Sequence, residues 1–156
     1  MFPGWTFFLI SHSAFRWLIL ISLLGSIGTA CHGLVTNRSF TRRDNQLRHW
    51  TATLTHIQLM LGIILYTQSP IVQYFWKGSG GDVPMEITFF GVTHVALMVT
   101  AIVVITLGSA MAKRKASDHD KFKTVLIWFG IGLFLIAIAI PWPFSPLAAR
   151  PYIRTL

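Results

Sequence analysis

Acidic side chains are scarce in this chain. Asp and Glu number five in 156 residues, and Asp44, Asp82, Glu86, Asp118 and Asp120 all fall between long apolar runs or at their edges. No carboxylate pair is placed inside such a run, and no nucleophile–base pattern or phosphate-binding glycine loop accompanies them. An enzyme is therefore not expected. A proton-transport path is disfavoured for the same reason, since no acid lies within an apolar run. Cysteine is almost absent too: Cys31 alone closes no intrachain disulfide and reads as a small buried hydrophobe. Charged residues make up 12% and hydrophobic ones 53%, a balance that cannot clothe a soluble domain of this size. The net charge of +8 comes without a basic face, so nucleic acid is not an expected partner. The opening MFPGWTFF lacks a basic n-region and does not read as a cleaved signal peptide.

What the chain has instead is apolar length. About 20 apolar residues cross a hydrocarbon core, and four runs qualify, within 6–36, 48–68, 87–112 and 124–143. Arg38, Arg42, Arg43 and Arg48 cluster between the first two runs. Lys113, Arg114, Lys115, Lys121 and Lys123 cluster between the last two. Lys77, Arg150 and Arg154 are all that the other side carries. The positive-inside rule then puts both short connections in the cytoplasm and the lipid bilayer around the rest. Such short connections join antiparallel neighbours. The expected fold is all-α: one domain, 1–156, a membrane-spanning up-down-up-down four-helix bundle with both termini on the outer (periplasmic) side of a bacterial inner membrane. The 69–86 connection, with its Pro, Gly and Asp, is expected to break the helix. Its Tyr74, Phe75 and Trp76 suit the interface. Trp142 and Phe144, in the proline-rich tail, are placed at the same outer interface. Gly25, Gly28, Gly62, Gly91, Gly130 and Gly132 allow helices to approach closely.

Three histidines, His12, His56 and His94, lie inside the apolar runs. An ionisable side chain in lipid is costly and marks a functional site, and neutral imidazole is a strong metal ligand. Counting at 1.5 Å per residue from the cytoplasmic helix ends gives depths of roughly 36 Å for His12, 21 Å for His56 and 31 Å for His94. Two imidazoles on opposite faces of one haem need similar heights, so His12 with His94 is the best axial pair and His56 with His94 the second. The chain has no CxxCH, which excludes covalent attachment of a c-type haem. His32, His49 and His119 belong to the loop end. Arg16 follows His12 by four residues on the same helical face. It is suited either to a haem propionate or to snorkelling outward. Gly91, one turn before His94, is expected to leave space for a flat cofactor. Met60 and Met98, four residues after His56 and His94, read as packing. Gln58 is a weaker candidate for hydrogen bonding inside the bundle, and Trp128 a neighbour for a cofactor.

The motifs HSAFRW at 12–17, FTRRDNQL at 40–47, HIQLMLGIILY at 56–66, THVALM at 93–98 and PWPF at 141–144 carry a resemblance that covers nearly the whole chain. It resembles short bacterial four-span membrane proteins labelled cytochrome b-like. The resemblance implies one haem b, with a second left open, electron transfer, and His12, His56 and His94 as the motif histidines; His32 is not part of the pattern. It leaves three further readings to weigh. The bundle could be a subunit of a larger redox complex, or self-associate. It could be a cofactor-free accessory or assembly subunit. It could hold another metal or a pigment. Quinone is a further candidate partner, with His56 or Gln58 beside it.

Overall fold

The computed structural model describes residues 4–78 and 82–152, and these fold as helices without a strand. Arg154 lies outside the described residues, as do the first residues of MFPGWTFF and residues 79–81 of the long connection. Helix α1 covers Trp5–Thr36 and ends on Asn37, whose φ of 51° is left-handed. Helix α2 covers Arg42–Gln68. A reciprocal cap starts it, the Thr41 hydroxyl accepting from the Asp44 backbone N–H while the Asp44 carboxylate accepts from that of Thr41; such boxes satisfy two otherwise orphaned donors. Pro70 has no N–H to continue the ladder, so α2 stops. A new helix, α3, runs Pro70–Lys77 from the Ser69 cap. Helix α4 spans Met85–Arg114 and contains one π-helical stretch, Phe89–Thr93. Helix α5 runs Asp118–Ala139 from the Ser117 cap.

Three helices, α1, α4 and α5, are long and apolar enough to cross a membrane. The expected fourth, α2, has the length, at 27 residues, without the apolarity. Its first half reads RRDNQLRHWTATLTH; Arg42, Arg43, Gln46 and His49 are exposed, while some of its buried polar groups bond to neighbouring helices. Thr51 and Ser26 share a buried hydrogen bond of 2.9 Å. Arg48, counted above as a loop charge, is buried, because α2 begins at Arg42 and carries it inward. Its guanidinium donates to the Ser109 carbonyl at 2.6 Å, to the Ser109 hydroxyl, and to Asn45 Oδ1 at 2.8 Å.

The long helices pack as a ring, α1 on α2, α2 on α4, α4 on α5 and α5 on α1, most extensively between α4 and α5 and most sparsely between α2 and α4. Leu23, Ile105, Phe122 and Phe129 form its centre. Ile21, Leu24, Val103, Ile131 and Phe134 face outward, an apolar exterior that suits lipid and not water. The two short connections meet at one end. Phe40 packs on Phe122 with centroids 4.9 Å apart, Arg38 lies over the Phe122 ring at 4.7 Å, and Lys121 pairs with Asp118 at 2.8 Å.

Two expectations are corrected here. Cys31 is exposed on α1, not buried: an apolar environment outside the bundle makes an outward position acceptable for a small hydrophobe. The 69–86 connection does interrupt the helix, but it then forms the two turns of α3 against the bundle. Val72 of α3 is buried while Tyr74 and Trp76 face out.

Candidate functional site

At the end opposite the two short connections, the helices part around a cavity of about 440 Å³. Its walls are mostly apolar, with Leu9, Ile63, Val95, Met98 and Ile136 among them; its polar lining comes chiefly from His12, Arg16, Gln58, Tyr66, His94 and Arg150. The chain beyond α5 folds back over this end. Pro141, Arg150 and Pro151 line the cavity, and the Arg150 N–H donates to the Pro141 carbonyl at 3.2 Å.

His12 on α1 and His94 on α4 both line this cavity, their ring centroids 6.4 Å apart and their planes at 64°. They come from diagonal members of the ring of helices. His94 directly follows the π-helical stretch Phe89–Thr93, a wide turn that is frequent at functional sites. Its Nδ1 bonds the Ala139 carbonyl at 2.7 Å. A carbonyl only accepts, so Nδ1 carries the proton and Nε2 holds the lone pair. His94 is thus fixed in tautomer and orientation by the last turn of α5. The Nδ1 atom of His12 is buried without a hydrogen-bond partner. Gly62 of α2 lies beside this ring: a Cβ there would stand 3.4 Å from His12 Cε1, in contact with it.

Gln58 ties α2 to α1 by donating to the His12 carbonyl at 2.9 Å, while its own Oε1 is buried and unbonded. Arg16 Nη2 donates to the Tyr152 carbonyl, which Trp17 Nε1 also reaches at 3.1 Å. Arg16 Nε is buried with no partner. Of the four buried side-chain polar atoms without a partner among the described residues, three, on His12, Arg16 and Gln58, belong to residues of this cavity. Buried polar groups are ordinarily satisfied, so their concentration here marks a place where a ligand or water completes the structure.

His56 is not brought to this site. It is exposed on α2, with Nδ1 on the Ala52 carbonyl at 2.8 Å and Nε2 on the Thr106 hydroxyl at 3.2 Å. The Thr106 hydroxyl, which has one proton, also donates to the Ile102 carbonyl at 2.7 Å, the shorter of its two contacts. The space expected beside Gly91 is taken by Phe75 of α3: a Cβ on Gly91 would run into that ring. The Gly91 carbonyl accepts from Tyr66 Oη at 2.8 Å, and Tyr66 in turn accepts from Trp76 Nε1 at 2.9 Å. Met98 lines the cavity, whereas Met60 is exposed. Trp128 packs against Gly108 and is not among the residues of the cavity wall.

Tyr66, the Ala139 carbonyl and the tail residues Pro141, Arg150 and Tyr152 were not among the site residues expected from the sequence. A tyrosine ten residues after His56 carries no spacing signal, and a backbone carbonyl carries none at all. No cluster of three or more His, Cys, Asp or Glu side chains suited to a metal ion occurs among the described residues.

Fold and site together define an all-helical protein with three helices fit to cross a membrane and an apolar cavity flanked by two histidines. Comparison with protein families, with curated proteins and with solved structures returned no match for this chain.

Proposed function

We propose that the protein is a membrane electron-transfer protein that binds haem b between His12 and His94, as a free carrier or as the haem-bearing subunit of a larger redox complex. The observation that carries this reading is the approach of these two imidazoles to each other in the lining of one cavity. Two imidazoles on opposite sides of one metal, each at about 2 Å from it, have centroids roughly 6 Å apart; His12 and His94 stand at 6.4 Å. A volume of about 440 Å³ falls within the roughly 300–1,000 Å³ usual for ligand pockets. Bound there, haem would supply a one-electron iron couple.

The chain's own residues do the rest. The bond from His94 Nδ1 to Ala139 orients the ring and raises the basicity of its free nitrogen. His12 Nδ1 has no partner among the described residues, so no bond at that atom fixes its tautomer, and the neutral ring offers one lone pair to a ligand. The apolar wall limits access of water, which tunes such a centre. The resemblance to cytochrome b-like four-span proteins supports the same reading. In this reading α2 completes four spans in up-down-up-down order. Arg48, Thr51 and Thr55 of α2 are buried in the bundle, the arginine- and lysine-rich connections face the cytoplasm, and the cavity opens toward the periplasmic half of a bacterial inner membrane.

The test is the optical spectrum of the purified protein, with pyridine-haemochrome quantification, for wild type and for alanine variants of His12, His94 and His56. A Soret band lost or strongly shifted in the first two variants and unchanged in His56→Ala is the expected result. Wild-type protein that takes up no haem, even when supplied with it, refutes the reading. A cofactor-free accessory subunit would show no band in any variant and retain its association with a partner complex after His94→Ala.

A further inference from the structure

Arg16 and Arg150 both line the cavity near its covered end, but their charges are handled differently. Arg150 forms an ion pair with Glu86 and lies 5.1 Å over the Phe90 ring. Arg16 has no carboxylate partner among the described residues. Its Nη2 rests on a neutral carbonyl, that of Tyr152, and its Nε is buried and unbonded. No other side-chain bond is made by its guanidinium there. The aromatic ring of Trp17, 5.5 Å away, attracts the cation only weakly. A half-buried guanidinium beside an apolar wall is stabilised when a counter-ion reaches it. Among the described residues nothing nearby supplies one: the titratable groups there that face this end from the surrounding elements are His12, His94, Tyr66, Arg150, Tyr152 and Glu86, and the one acid among them is already paired.

We infer that Arg16 is the anchor for a carboxylate carried by the molecule that fills the cavity. The ligand is thus an amphiphile, with an apolar body against Leu9, Ile63, Val95 and Met98 and a carboxylate at the end roofed by the tail. The Nε edge of the guanidinium is the unbonded one, and a carboxylate matches such an edge with two parallel hydrogen bonds. The Tyr152 carbonyl already marks where an oxygen sits against Nη2. This inference rests on the cavity being a ligand site, as proposed above, and not on the ligand being haem: haem propionates and a fatty-acid carboxylate both fit it.

The experiment compares each acid with its ester on the detergent-solubilised full chain. Binding of iron protoporphyrin IX is measured beside its dimethyl ester, and binding of palmitate beside methyl palmitate, in wild type, Arg16→Gln and Arg16→Lys. The expected result is a preference of at least about tenfold for the acid in wild type, worth the roughly 1.4 kcal/mol of a charge-assisted bond. The preference collapses toward one in Arg16→Gln and is partly kept in Arg16→Lys. The wild-type comparison needs no variant, so poor folding of Arg16→Gln leaves the test intact. If the porphyrin binds but acid and ester bind equally, this inference fails while the haem reading survives. If no porphyrin binds but palmitate is preferred over its ester, the haem reading fails while the anchor stands. Equal binding of acid and ester for both ligands, or binding of none of the four, overturns the inference.

Discussion

Arg38→Gln should destabilise the protein in a pH-dependent way. Asp44 is almost fully buried at the start of α2, 7% exposed. It receives two bonds of 2.7 Å from the Arg38 guanidinium, and it also accepts from the Thr41 backbone N–H at 2.8 Å and hydroxyl at 2.7 Å. Arg38 is the largest cause that lowers the carboxyl pKa from 3.8 to about 2, against the opposing effect of burial. That difference corresponds to roughly 2 kcal/mol of stability at neutral pH. The sign follows from the depressed folded-state value. The contribution is complete above the unfolded pKa near 4 and is lost as pH falls through the folded pKa of about 2. Arg38 also lies over the Phe122 ring, a contact worth about 0.5–1 kcal/mol whatever the pH. The variant should therefore lose about 2–3 kcal/mol at pH 7 and only about 0.5–1 kcal/mol near pH 2. Reversible unfolding in mixed micelles, followed by tryptophan fluorescence at both pH values, measures the loss. Carboxyl NMR of labelled Asp gives the titration directly. A loss of equal size at both pH values would show that Arg38 acts through packing alone and would refute the electrostatic argument.

Gly91→Ala should force α3 away from α4, because the new methyl meets the Phe75 ring. Overpacking of this kind costs about 1–3 kcal/mol, and Phe75→Ala should restore much of it; an additive double variant would argue against that contact. Thr51→Val leaves the buried Ser26 hydroxyl without its partner, at a cost of about 0.6–2 kcal/mol in a bilayer or micelle. A double-mutant cycle with Ser26→Ala should show positive coupling, and zero coupling would remove the bond from the account of how α1 holds α2. The histidine spectra and the acid–ester comparison at Arg16 complete the set.

How much of the site was legible in the chain differs from residue to residue. The similar depths of His12 and His94 follow from counting residues along two apolar helices, since the rise per residue is fixed; the structure indeed brings them to 6.4 Å. His56 also separates from them by counting, at a different depth. What counting could not reach was azimuth. A helix that faces lipid on one side and protein on the other is apolar all round, so periodicity does not distinguish inside from outside. Cys31 was accordingly placed inward and proved exposed. Arg48 was assigned to a loop and proved to be a buried clasp on Ser109. Gly91 promised open space and proved to receive Phe75, because α3 was hidden within a segment that composition marks only as a connection.

By itself, the sequence determined an all-helical protein with membrane-length apolar helices, basic short connections and three histidines within apolar runs, because length, hydropathy and charge are properties of one segment at a time. Only the tertiary structure decided that α1 and α4 bring His12 and His94 together in the lining of one cavity and that α5 fixes the His94 tautomer through a carbonyl. It alone decided, too, that the tail returns to Arg16. Each of these depends on which faces of separate helices meet, and that is settled by packing all of them together.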